Sequence, residues 1–271
     1  MLEIARMFLN KRDKIQENMK PTEIYNEGWL LRFVLDWFSE NRRDIDENNP
    51  LLFLNSSKWY SEGILPTKFF PNYNRDKLAE GNTYADAIIG DIKIGKRGKG
   101  DVSFVAPYRQ LIVIEAKMYS DLSQGISNAN FFDQAARTVG CVAEMLAEVI
   151  DEIECYNKDI QNLESLAFYV VAPAEQLIEK DIFEKWVDKG SIKSKMKRRI
   201  EQYNMPERMD DYRRKKSWYK NIFEPTLDRI KLCCITWENI IENIRELDSN
   251  NGEEIKSFYN YCKEYNKQKK R

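Results

Sequence analysis

Histidine is absent from the whole chain. That absence removes Ser-His-Asp and Cys-His catalytic sites, His-x-Glu zinc deaminase sites, His-Glu-x-x-His peptidase sites and every hydrolytic site built on a histidine base. Chemistry, where there is any, must rest on carboxylates, lysine, tyrosine or a thiol. The five cysteines (Cys141, Cys155, Cys233, Cys234 and Cys262) are odd in number and none is spaced as Cys-x-x-Cys, so neither a disulfide framework nor a zinc ribbon is indicated. Buried reduced thiols are the plainer reading. Long apolar runs are also missing: residues 111–114 and 166–173 are the densest, far too short to cross a bilayer. The N-terminal stretch carries an early acid and no extended apolar segment before a small-residue cleavage site, which makes a cytoplasmic location the expectation. A net charge of −1 argues against a uniformly basic surface, although averaging hides opposed patches.

What is present supports a core: 271 residues, 42% hydrophobic and 12% aromatic. Residues 3–20 read as a charged helix and 22–40 as an amphipathic one, with Ile24, Leu30, Leu31, Val34, Trp37 and Phe38 on its apolar face. Residues 42–83 are rich in Asn, Pro, Ser and Tyr and read as irregular. Strand patterns follow at 84–94, 101–106 and 111–117, joined by turn-forming segments, so an antiparallel meander is expected. Residues 128–150 read as a helix, 166–171 as a strand buried on both faces, 175–223 as helical, and 231–237 as a last strand before terminal helices over 238–271. The tail 266–271 is expected to fray. The order predicts one α/β domain over 1–271, a central mixed sheet flanked by helices, with its core over about 22–237 and a helical insertion over 175–223.

The charges at the end of the 111–117 strand stand out. Leu111, Val113, Glu115 and Lys117 share one face, and Ile112, Ile114 and Ala116 the other. A carboxylate and an ammonium thus extend an apolar face, where charge is costly and frequently functional. Acid-x-Lys tripeptides recur at Asp91-Ile-Lys93 and Glu254-Ile-Lys256, but neither closes so apolar a strand. Asp101 opens the preceding strand, and an odd-length loop near Pro107 would set it on the same face as Glu115. Asp86 and Asp91 stand in reserve for that position.

Gly100-Asp101-Val-Ser-Phe, then Leu-Ile-Val-Ile-Glu115-Ala-Lys117, then a helix bearing Phe-Asp-Gln134-Ala-Ala-Arg137, resembles the PD-(D/E)XK, or restriction-endonuclease-like, nucleases. The motif is short and supports the class, not a particular member. The resemblance implies a restriction-endonuclease-like core and Mg²⁺-dependent cleavage of DNA, with Mn²⁺ able to substitute. It implies metal held by Asp101, Glu115 and the Ala116 carbonyl, water assisted by Lys117, and a polar site residue at Gln134. It also implies a site glutamate on the first helix, which Glu27 fits because it shares a face with Leu30, Leu31 and Val34, and a tendency to form homodimers. The plainer readings are a rim position for Glu27 and a solvated one for Gln134.

Residues 193–220 hold eleven basic residues against four acidic ones, a net of +7, interleaved with Tyr203, Tyr212, Trp218 and Tyr219. Lys195, Lys197, Arg198, Arg199, Arg213, Arg214, Lys215, Lys216 and Trp218 are the expected nucleic-acid contacts, cations for phosphates and the ring for bases. Lys96, Arg97 and Lys99, just before Asp101, form either a phosphate contact or a plain Gly-rich loop. The acidic run 144–164 reads as a solvated face. Two other functions fit the same features: an inactive nucleic-acid-binding module of this fold, or a scaffold in which Glu115 and Lys117 are structural.

Overall fold

The computed structural model describes residues 1–271 except 12–13, 15–16, 96–97, 126–128, 150–159 and 268–271. Lys96, Arg97, Asn128, Cys155, the middle of the acidic run and the last four residues therefore lie outside the described residues. The architecture is α/β, a five-stranded mixed sheet flanked by helices. The strands are β1 (Lys58–Leu65), β2 (Thr83–Gly90), β3 (Ile92–Ile94), β4 (Val102–Phe104), β5 (Gln110–Ala116), β6 (Ser165–Ala172) and β7 (Lys231–Thr236). The sheet order is β1-β2-β5-β6-β7, and β3 and β4 form a separate ribbon. β1 and β5 both run antiparallel to β2, whereas β5, β6 and β7 are parallel.

The helices that matter below are α1 (Leu2–Asn10), α2 (Pro21–Ile24), α3 (Glu27–Glu40), α4 (Gln134–Ala147), α5 (Ala174–Lys180), α6 (Ile182–Trp186), α7 (Lys189–Glu201), α8 (Met209–Trp218), α9 (Glu224–Arg229), α10 (Trp237–Leu247) and α11 (Ser249–Lys267). All seven residues of β5 are buried, and their alternation divides them between two cores. Leu111 and Val113 pack with α4 and α7 residues such as Val139, Val142, Ile192 and Met196. Ile112, Ile114 and Ala116 pack with Leu30, Leu31 and Val34 of α3 and with Ile240 and Phe258 from the C-terminal helices. A strand buried on both faces reads as a continuous apolar run, and β5 and β6 do.

Two expectations need correction. The 84–94 segment is two elements: Gly90, at φ 158°, packs so tightly that a Cβ there would meet the Gln110 carbonyl oxygen at 2.1 Å. The chain turns at Asp91, whose carboxylate accepts from the Arg109 N–H at 2.6 Å and from the Ser56 hydroxyl at 2.5 Å. Only then does it form the β3–β4 ribbon. The partner of β5 is consequently β2, in the register Ala87↔Ile114, and not the 101–106 strand. Secondly, residues 42–83 contain β1, an edge strand with a mixed burial pattern that its Ser, Glu and Gly content obscures.

Candidate functional site

The site gathers at the C-terminal end of β5. The last pair there, Ala87↔Ile114, leaves Asp86 and Glu115 as the next residues on the two strands. Asp86 Oδ2 accepts from the Ala116 N–H at 2.7 Å, so the aspartate is tied to the backbone of the Glu-x-Lys segment. Glu115 is 1% exposed. Its Oε1 accepts hydrogen bonds from Lys117 Nζ and Gln134 Nε2. Its Oε2 is buried and accepts from no donor. Asp86, the next acid, is itself an acceptor, and like charges on facing strands repel.

Lys117 lies just past the strand, buried and with its backbone held on both sides. Its N–H donates to the Val171 carbonyl at 2.8 Å, and its own carbonyl accepts from Trp237 Nε1 at 3.0 Å. Gln134, the first residue of α4, is held in turn: its Oε1 accepts from the Ser123 N–H at 3.0 Å. Asp133 caps the helix by accepting from the Ala136 N–H at 3.0 Å. Thus β5, β2 and the start of α4 each deliver one side chain to one point.

Burial pushes the Glu115 carboxyl up to about 8, with Asp86 adding repulsion and Lys117 pulling the other way. For Lys117 burial works against the ammonium, but Glu115, Asp86 and Glu27 outweigh it and raise its pKa. Glu27 opens α3 next to Asn26, whose side chain accepts from the Trp29 N–H at 3.0 Å. It joins the same field from the opposite side of the sheet. A cleft of about 720 Å³ beside the site is lined by Glu27, Arg32, Glu62, Asp86 and Tyr119.

No family model, curated protein or solved structure matches the chain.

Two of its neighbours are invisible to sequence reasoning. Glu62 falls opposite Asp86, between the pairs Ser61↔Ala87 and Gly63↔Ala85, with a left-handed φ of 56°. Burial first, then Asp86, raises its pKa, and Arg32 opposes them. Arg32 donates to the Ser61 hydroxyl at 3.0 Å and lies 3.5 Å from Glu62. Recognising β1 as a strand would have found Glu62, whereas Arg32 lies on α3. Among the described residues, no three Asp, Glu or Cys side chains converge into a ready-made metal cage.

Asp101 is not part of this group. It forms a parallel bridge with Ile64 on the outer edge of β1, and its carboxylate accepts from the Gly98 N–H at 2.7 Å. With β1 and β2 between it and β5, it stands three strand spacings from Glu115, roughly 14 Å. It lines a separate cleft with Leu65 and Lys99. The physical reason is the pairing: the β4 segment that follows Asp101 bonds to β3, so no loop length could bring it to β5. Asp91 is consumed by the turn described above, and Lys93 is exposed.

The basic segment divides. Arg199 is fully buried, ion-paired with Glu80 at 3.1 Å and bonded to the Leu78 carbonyl. Lys215 is buried against Asp211 at 2.6 Å, and Trp218 belongs to the core. These three hold α7 and α8 to the body and are withdrawn as nucleic-acid contacts. Tyr203, Tyr212 and Tyr219 are core residues as well. Lys195 is half-buried and paired with Asp133 at 2.5 Å. Lys197, Arg198, Arg213, Arg214 and Lys216 are exposed. Among the described residues, no helix is long and apolar enough to cross a membrane.

Proposed function

We propose that the chain is a metal-dependent nuclease acting on DNA, with Asp86, Glu115 and Lys117 at its centre and Glu27 and Gln134 supporting them. The observation that carries this reading is Glu115 Oε2, a buried oxygen that accepts from no donor and has a second carboxylate, Asp86, as its neighbour. Without metal the raised pKa of Glu115 leaves a proton at this pair of carboxylates, and a hard cation can take its place. Mg²⁺ is commonly bound by one or two carboxylates, with water and substrate oxygens completing the shell, so a three-acid cage is not required. When bound, such an ion lowers the pKa of a water and offsets charge on the scissile phosphate.

The chain's own residues do the rest. Gln134 and Lys117 fix the rotamer of Glu115 so that Oε2 stays presented. The Ala116 N–H holds Asp86, and the resemblance assigns the Ala116 carbonyl as a further ligand. Lys117, kept charged by Glu115, Asp86 and Glu27, is placed to orient the attacking water. The restriction-endonuclease-like reading is supported by the strand order and by the succession Glu27, Asp86, Glu115, Lys117, Gln134 on helix, strand, strand and helix. The exposed cations Lys197, Arg213, Arg214 and Lys216 supply phosphate contacts.

The test is incubation with supercoiled, linear and single-stranded DNA in Mg²⁺ or Mn²⁺. Wild type is expected to cut and Lys117→Ala to lose at least about a hundredfold in rate, in line with removing a group that acts on the reacting water. Equal cutting by both proteins would refute the role of Lys117.

A further inference from the structure

A second cleft, of about 460 Å³, lies against the start of α4 and is walled by Phe131, Trp186 and Arg198 among others. It touches the candidate site through two chain segments at once. Ser123 and Gln134 are bonded to each other, and Gln134 bonds to Glu115; their chain neighbours Gln124 and Asp133 line the cleft. The cleft wall is thus linked to Glu115 through Gln134, directly by its chain neighbour Asp133 and indirectly by Gln124, which follows Ser123.

Its walls combine aromatic faces with cations. The Arg198 guanidinium lies 3.8 Å from the centre of the Phe131 ring, a stacked contact. Lys195 and Lys185 sit 5.3 and 5.6 Å from the Trp186 ring. The buried Asp133 neutralises Lys195 and anchors it, whereas Arg198 and Lys185 are exposed. Among the described residues no carboxylate pairs with Arg198. An arginine stacked on a ring and lacking an acid partner is pre-ordered: it offers a flat face to a base and its N–H edge to a phosphate. Gln124 and Asn130 add amide groups of the kind that bond base edges.

We propose that this cleft is a subsite for unpaired nucleotides next to the scissile phosphate, an inference that rests on the nuclease reading of the neighbouring carboxylates. Rings, a stacked guanidinium and side-chain amides read bases that are out of a duplex, because paired bases hide their faces and Watson–Crick edges. The substrate is accordingly a strand with a single-stranded tail, flap or gap, and not a blunt uniform duplex.

Binding is measured by fluorescence anisotropy in EDTA, so that no cutting intervenes, with labelled blunt duplex, the same duplex bearing a single-stranded tail, and single-stranded DNA and RNA of the same length. Wild type is expected to prefer tailed and single-stranded probes, and Arg198→Gln and Trp186→Leu to weaken them by about tenfold while changing the blunt duplex less than about twofold. Arg198 is on the surface, so its variant keeps the fold even if the Trp186 variant does not. Equal losses on tailed and blunt probes, or no loss on either, would overturn the subsite. Cleft-dependent binding without cutting in Mg²⁺ or Mn²⁺ would remove the nuclease reading alone; cutting with no tail preference would remove the subsite alone.

Discussion

At the scale of single residues, Glu115 is held where burial and Asp86 disfavour its charge more than the bonded Lys117 favours it. Its folded pKa, about 8, lies above the model-compound value of 4.5. A carboxyl shifted upward favours the folded state while protonated. Its contribution is full below about 4.5 and is lost as pH rises through about 8. Glu115→Gln removes that dependence. In metal-free buffer the melting temperature of Glu115→Gln minus that of wild type is therefore expected to become more positive from pH 5 to pH 8, by a few degrees. A difference that stays flat would mean that Glu115 is ionised throughout. Glu115 and Lys117 were legible in the sequence because charge at the end of an apolar strand is costly. Asp86 stood only in reserve behind Asp101, because its role depends on a strand pairing that no local pattern encodes.

At the scale of elements, the same helices that supply exposed cations also carry buried ones, and spacing alone does not separate them. Arg199 faces the core, where its guanidinium lies 4.8 Å from the Phe69 ring and pairs with Glu80; Arg213 and Arg214 point outward. Arg199→Ala leaves Glu80 buried without its partner and is expected to cost about 3–5 kcal/mol in chemical denaturation. Arg213→Ala and Arg214→Ala should stay within about 0.5 kcal/mol, while each lowers the salt dependence of nucleic-acid binding by about one phosphate contact. A mild Arg199→Ala would contradict the core role. Secondary structure was read well where the apolar pattern is dense, in β5, β6, α3 and α4. It failed at β1, whose edge position demands little apolar content, and at Gly90, where a close backbone approach divides one apparent strand in two.

At the scale of the whole molecule, the sheet is a platform with a different helical layer on each face. The layers meet where β5 ends: α3 brings Glu27 from one side and α4 brings Gln134 from the other. An α/β sheet flanked by helices was foreseeable from the order of elements. The path across it was not, since the β3–β4 ribbon intervenes between the two strands that carry the carboxylates. That detour separates Asp86 from Glu115 in sequence and joins them in space, whereas it joins Asp101 to Glu115 in sequence and separates them in space.

The most direct measurement is Mn²⁺- and Mg²⁺-dependent nicking of supercoiled DNA by wild type, Asp86→Asn and Asp101→Asn, with folding checked by circular dichroism. Wild type and Asp101→Asn are expected to cut at similar rates and Asp86→Asn to fall by at least about a hundredfold. Metal-dependent cutting retained in Asp86→Asn and lost in Asp101→Asn would contradict the site described here.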